Sequence, residues 1–160
     1  MGIFSLDMLS AYWLLFRIRK DSSMESFEDC IVFLLAKAYQ KAHGSMKKRL
    51  HRYGLTPIQY LVVESLLEED GLSAGDIGKR LVLDNATLSG VLERLAEREW
   101  IIKKTDANDK RLVRVSLTHK AKALKEELTG EREQANEEIL RALSIEEKVL
   151  LKRLLRDVRA

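Results

Sequence analysis

In the stretch N-A-T-L-S-G-V-L-E-R-L (residues 85–95), Thr87, Ser89, Gly90 and Arg94 fall on the helical face opposite Leu88, Val91, Leu92 and Leu95. Small side chains let a helix backbone come close to a partner surface. Hydroxyls donate or accept there, and a guanidinium grips guanine or phosphate. Any solvated helix face carries such residues, so the neighbouring sequence has to decide. It continues W-I-I-K-K-T-D-A-N-D-K-R-L-V-R-V-S-L-T, in which Lys103, Lys104, Lys110, Arg111 and Arg114 face only Asp106 and Asp109. That cationic surplus on a narrow hairpin tip suits phosphate neutralisation and entry into a minor groove. Thr56 and Ser73 each begin a helical pattern, and the amides of a helix start bind phosphate well, which adds two expected backbone contacts.

These residues need elements to hold them. The chain has 160 residues, enough for one ordinary domain with a real core. Its 33% charged and 46% hydrophobic residues describe a folded chain rather than a disordered one. A net charge of +3 permits a polyanionic partner without requiring one. The single cysteine, Cys30, excludes an internal disulfide framework and fits a reducing compartment, so a cytoplasmic location is expected. Pro57 is the only proline, which favours helices with short connections.

Capping signals set the expected boundaries. Ser22 with Glu25, or Ser26 with Asp29, opens a long helix with its apolar face at Phe27, Ile31, Leu34, Leu35, Ala38, Ala42, Met46 and Leu50, stopped by Gly54. Its length of roughly 45 Å at 1.5 Å per residue exceeds the needs of one small domain, so part of it is expected to meet another subunit. Thr56-Pro57-Ile58-Gln59 is a capping box with proline at the first helical position. Ser73 with Asp76 opens the next helix, ending near Leu83, and Asp84 or Asn85 caps the third. Ile101–Lys104 and Leu112–Leu117 read as strands. A helix from Thr118 to about Ala142 follows, and Ser144 with Glu147 caps the last one, with its apolar stripe at Leu151, Leu154, Leu155 and Val158.

The expected fold is mainly α: a winged helix-turn-helix with a two-stranded β-hairpin wing and a helical dimerisation domain formed by the N- and C-terminal helices. The expected organisation is an amphipathic helical extension at 1–22, a dimerisation region at 23–54 and 119–160, and a DNA-binding lobe at 55–118. Ile3–Ile18 is too short for a membrane span and lacks the basic start and cleavage site of a signal peptide; it reads as a helix packing on protein, with Met24 as an alternative start.

In the order and spacing of Leu55-Thr56-Pro57-Ile58-Gln59-Tyr60, Thr87–Leu95, Asp109-Lys110-Arg111 and Val115-Ser116-Leu117-Thr118, the chain resembles the MarR (multiple antibiotic resistance regulator) family over residues 27–159. The resemblance implies homodimers joined through first and last helices, with two recognition helices on a pseudo-palindrome of double-stranded DNA, half-sites about one helical turn apart. It also implies that Arg111 enters the minor groove and that Asp109 orients it; a carboxylate two residues away on a tight turn can hold a guanidinium. It further implies a small aromatic or phenolic ligand between dimer helices and lobe, for which Trp13, Tyr39, Met46 and Tyr60 are the candidate lining, with core or interface packing as their other reading. Two positions depart from the family pattern: Glu99 stands where glycine is usual, implying strain of about 1 kcal/mol if it is left-handed, and Ala121 replaces a common glycine.

Other signals in the sequence point to no further site. Ser73 and Arg80 break the phosphate-loop pattern suggested by Gly75, Gly78 and Lys79, and a sugar on Asn85 would block the recognition helix. His43, His51, His119 and Cys30 lack ligand spacing, so no metal or cofactor is expected, and no nucleophile–base–acid set points to an enzyme. The basic run Lys37, Lys41, Lys47, Lys48, Arg49 and Arg52 reads as a solvated face. Cys30 sits two residues from Val32, where the thiol of a peroxide-sensing branch would fall, and that branch's tyrosines would fall at Ala36 and Met46; a half-buried structural thiol is the expectation. The rival readings are a redox-sensing one-cysteine regulator and a winged-helix protein-interaction module without DNA binding.

Overall fold

The computed structural model describes residues 26–106 and 109–159. Trp13 and the 1–22 extension lie outside the described residues. The described residues divide into two compact units, one up to Lys41 and the other from Ala42 onward.

In the first unit, Ser26 caps a single 3₁₀ turn, Phe27–Asp29, accepting from the Glu28 amide rather than from Asp29. Cys30 is extended (φ −60°, ψ 121°), so the long helix starts only after it. This helix, α1, covers Ile31–Leu50, about 30 Å at 1.5 Å per residue and shorter than the sequence suggested. Phe27 and Phe33 stack at 4.7 Å in a tilted pair, and the Lys37 ammonium lies 5.5 Å from the Phe33 ring centroid. Phe27, Ile31, Val32, Leu34 and Leu35 are all exposed. Cys30 is exposed as well, against the half-buried thiol expected.

The second unit holds the core. After α1 a 3₁₀ turn, His51–Tyr53, ends on Gly54 at φ 66°, a left-handed position that glycine adopts without a Cβ penalty. Helix α2, Pro57–Glu68, carries both halves of its capping box: Gln59 N–H donates to the Thr56 hydroxyl (3.4 Å), and Thr56 N–H donates to the Gln59 side chain (2.9 Å). Strand β1 (Leu72–Ser73) leads into α3 (Ala74–Leu81), then α4 (Asn85–Glu97), β2 (Ile101–Thr105) and β3 (Val113–Leu117). The turn between α3 and α4 is tight. Leu83 N–H bonds back to Gly78 O at 2.9 Å, and a Cβ on Gly78 would lie 3.3 Å from Leu83 O and 3.4 Å from Leu88 Cδ2. Tyr60, Val62, Val63, Leu66, Ile77, Leu88, Leu95, Val115 and Leu117 interlock into one buried cluster that fixes the three helices against the sheet.

The sheet has three strands rather than the two expected, ordered β1-β3-β2 and antiparallel throughout. Leu72 pairs with Val115 and Ser73 with Arg114. So short a strand carries no alternating pattern of its own; it exists because β3 offers an edge to pair with.

The expected Thr118–Ala142 helix is also divided. Thr118 caps α5 (His119–Ala123); Leu124, at φ −89° and ψ 5°, ends it, and α6 runs Lys125–Ile139. The Leu124 N–H closes a tight turn on Ala121 O (3.2 Å). Asp70 anchors the short helix by accepting from Lys122 Nζ (2.7 Å) and from the Leu117 amide (2.9 Å). Ser144 and Glu147 bond reciprocally, as expected, before α7 (Ile145–Arg159). On α7 Ile145, Val149, Leu150, Leu154, Leu155 and Val158 are exposed. No helix among the described residues is long and apolar enough to cross a membrane.

Candidate nucleic-acid interface

Helix α4 buries Leu88, Val91, Leu92 and Leu95 and turns Thr87, Ser89 and Arg94 outward, as its periodicity dictates. Asp84, not Asn85, is its cap: Oδ1 accepts the Thr87 amide at 2.9 Å and Oδ2 accepts the Thr87 hydroxyl at 2.6 Å. The hydrogen bond from the Thr87 side chain, followed by that from its amide, holds the Asp84 carboxyl below the usual carboxylate range. Gly90 leaves room for Arg94 to fold along the helix: a Cβ there would stand 3.4 Å from its guanidinium.

The wing follows from β2 and β3. Ile101, Val115 and Leu117 face inward and are buried, while Lys104 and Arg114 form a cross-strand pair on the outer face. Like charges placed opposite repel. Here Asp106 relieves them, accepting from Arg114 Nε at 2.8 Å. Arg114 also reaches Gly71 O (3.4 Å), so it braces the hairpin and is not the freely available cation expected. Lys103, Lys104, Lys110 and Arg111 are exposed, and no ion pair to them is present among the described residues. Asp109 accepts from the Arg111 backbone amide at 2.9 Å, not from its guanidinium. The carboxylate shapes the turn through the backbone, which corrects the direct contact anticipated.

Thr56 and Ser73 differ from expectation for a common reason. The Thr56 amide is already bonded to Gln59, so it is not unpaired. Ser73 is 7% exposed, lies in β1 and donates its hydroxyl to Asp76 Oδ2 at 2.6 Å, which places a carboxylate where a phosphate would sit. The Ser73 hydrogen bond is the largest of the effects holding Asp76 below its usual range.

Of the residues considered for a small ligand, Tyr39 belongs to the first unit and is 66% exposed. Met46 packs half-buried on the core. Tyr60 is 1% exposed and donates its hydroxyl to Glu64 Oε2 (2.6 Å), whose other oxygen is paired with Arg132. Burial, then the bond to Glu64, pushes the Tyr60 phenol above its usual range against the opposing pull of Arg132. Tyr60 is therefore a core residue with a satisfied hydroxyl. A cleft that the sequence reading missed lies between α4 and the wing, about 290 Å³ and largely apolar, lined among others by Leu88, Ser89, Leu92, Lys103 and Val113.

The basic run on α1 and the 3₁₀ turn after it is not uniformly solvated either. Arg49 pairs with Glu131 (3.3 Å) and Glu138 (3.0 Å), and Arg52 pairs with Glu131 (2.5 Å). Glu131 is only 7% exposed, and the pairs explain how a carboxylate survives at that depth on α6. The hydrogen bond from Ser45 and then that from Arg49 hold the Glu138 carboxyl low. Among the described residues no cluster of three or more His, Cys, Asp or Glu side chains could hold a metal ion.

A family model described as MarR family matches residues 55–113, which span α2 to the start of β3. A solved structure of Bordetella bronchiseptica BpsR, a protein whose DNA binding is regulated by 6-hydroxynicotinic acid, is 31% identical; the match covers 86% of this chain and 98% of that one, with a TM-score of 0.80. The chain belongs to the MarR family. Another MarR-family likeness is the HTH-type transcriptional regulator MhqR of Bacillus subtilis, 25% identical over 128 residues, covering 80% of this chain and 88% of the relative. A mutant MarR from E. coli complexed with operator DNA superposes at TM-score 0.76 and 25% identity, covering 84% of this chain and 99% of that one. The MarR family is one of transcriptional regulators and not of enzymes, and this chain is such a regulator.

Proposed function

We propose that the protein acts in the cytoplasm as a homodimer, binding double-stranded DNA sequence-specifically at a pseudo-palindromic operator, as a repressor whose DNA affinity a small aromatic or phenolic ligand modulates. The observation that carries this reading is the juxtaposition, in one lobe, of an outward Thr87–Arg94 face on α4 with a wing whose Lys103, Lys104, Lys110 and Arg111 are exposed. In a helix-turn-helix the second helix enters the major groove, and the hairpin tip beside it reaches the neighbouring minor groove. Thr87, Ser89, Gly90 and Arg94 are the base-facing set. Lys103, Lys104, Lys110 and Arg111 neutralise phosphate or enter the groove, with Asp109 shaping their turn. Arg114 supports the hairpin. Thr56 and Ser73 support the lobe by capping α2 and α3 rather than by contacting phosphate.

For the ligand, the apolar cleft between α4 and the wing is a better host than Tyr60: it is open, and Lys103 can pair with a carboxylate or phenolate. Occupancy there would act on DNA binding through Ser89 and Lys103, which line the cleft and also belong to the DNA-facing set. The DNA binding of the related BpsR is regulated by an aromatic acid, which supports the ligand class.

Operator titration tests the reading. Arg111→Ala and Arg94→Ala should each weaken specific binding by about 1–3 kcal/mol while sedimentation shows the dimer intact. Unchanged affinity in both variants would show that the wrong surface has been assigned. Partner binding insensitive to salt would instead favour a protein-interaction module.

A further inference from the structure

The start of α4 holds a hydrogen bond that capping does not require. An N-cap needs one oxygen on a backbone amide, and Asp84 Oδ1 supplies it to Thr87 at 2.9 Å. Asp84 Oδ2 takes a second bond, from the Thr87 hydroxyl, at 2.6 Å. A hydroxyl has a single proton, and here that proton is committed to a carboxylate. The acceptor is a carboxylate, and the same hydrogen bond holds the Asp84 carboxyl below its usual range.

Thr87 is exposed on the first turn of α4, the part of a recognition helix that meets base edges. With its proton engaged, it can offer only oxygen lone pairs and a methyl group. It can accept from the adenine N6 or cytosine N4 amino group and touch a thymine methyl. Guanine, which presents two acceptors in the major groove, meets lone pair against lone pair.

We propose that Asp84 is a positioning residue for base readout: by holding the Thr87 hydroxyl proton it makes Thr87 an acceptor, so that the base facing Thr87 in each half-site is selected against guanine. This rests on the assignment of α4 as the DNA-reading helix.

The test uses the full-length protein and an operator selected from random duplexes. Affinities are then measured with each base pair placed in turn at every half-site position, for the parent, Asp84→Asn and Thr87→Val. Asparagine caps helices as well as aspartate does, so the fold is retained. Its carbonyl can still take the Thr87 amide, but its NH₂ donates to the Thr87 oxygen and turns the hydroxyl proton toward the groove. The parent should disfavour guanine at one symmetry-related position by roughly tenfold. Asp84→Asn should abolish or reverse that discrimination at that position alone, and Thr87→Val should remove the preference for a donor there. A preference pattern unchanged in Asp84→Asn, or a weakening spread evenly over all positions, would overturn the proposal and leave Asp84 a cap. A parent that selects no sequence at all would instead overturn the DNA reading.

Discussion

Two arginines three residues apart in the wing have different surroundings, and their roles should separate by experiment. Arg114 is bound to Asp106 and to Gly71 O, whereas Arg111 has its backbone amide held by Asp109 and its side chain exposed. Arg111→Ala should lower the slope of log affinity against log salt by about one, because one phosphate contact is lost. Arg114→Ala should leave that slope nearly unchanged while reducing the thermal stability of the lobe. Equal slopes in the two variants would show that Arg114 reaches phosphate after all. Sequence alone made the types and positions of these side chains legible, because a surplus of cations near a turn is a local property. The partners were not. Asp106 meets Arg114 across the hairpin, Glu131 meets Arg49 over a separation of 82 residues, and Glu64 meets Arg132 over 68. Only the folded chain brings such groups together.

Among the described residues, two non-glycine residues sit in the left-handed region: Val82 at φ 54° and Glu99 at φ 57°. The second could be anticipated from the missing glycine before Trp100. The first could not, since Val82 fell inside the helix expected to run to Leu83; α3 stops at Leu81 instead. A β-branched residue is badly suited to this region. Val82→Gly should therefore raise unfolding stability by about 1 kcal/mol after the entropy cost of glycine is subtracted, and Glu99→Gly by a similar amount. Urea melts of the two variants check this; no gain in either would mean that the turn tolerates its side chains without strain. Helix starts were legible because a cap is a relation between residues two or three apart, as Thr56 with Gln59 and Ser144 with Glu147 show. Strand β1 was hidden because its two residues acquire meaning only from Arg114 and Val115, some forty positions later.

At the scale of the molecule, apolar residues remain uncovered on both terminal helices, including Ile31 and Val32 on α1 and Leu154 and Val158 on α7. Such surface is costly to leave in water at roughly 25 cal/mol per Å². The surplus was visible in the sequence as more apolar stripes than a single lobe can bury. If those faces join two copies, thermal stability should rise with protein concentration. Replacing Leu154 and Val158 together with lysine should then yield a monomer by sedimentation, with the helix content of the lobe retained and operator binding lost. A double variant that remains dimeric would move the interface elsewhere.

Ser73 serves two neighbours at once: it caps α3, and within β1 it pairs with Arg114 of the wing. The first helix of the helix-turn-helix and the root of the hairpin are thus sewn together by the same residue. Any thermal fluctuation that frees one must expose the other. In deuterated solvent the amides of α3 and of the hairpin root should become labelled together through one shared opening event, while those near Arg111 label earlier and on their own. A groove-reading surface built this way would tilt as one plate.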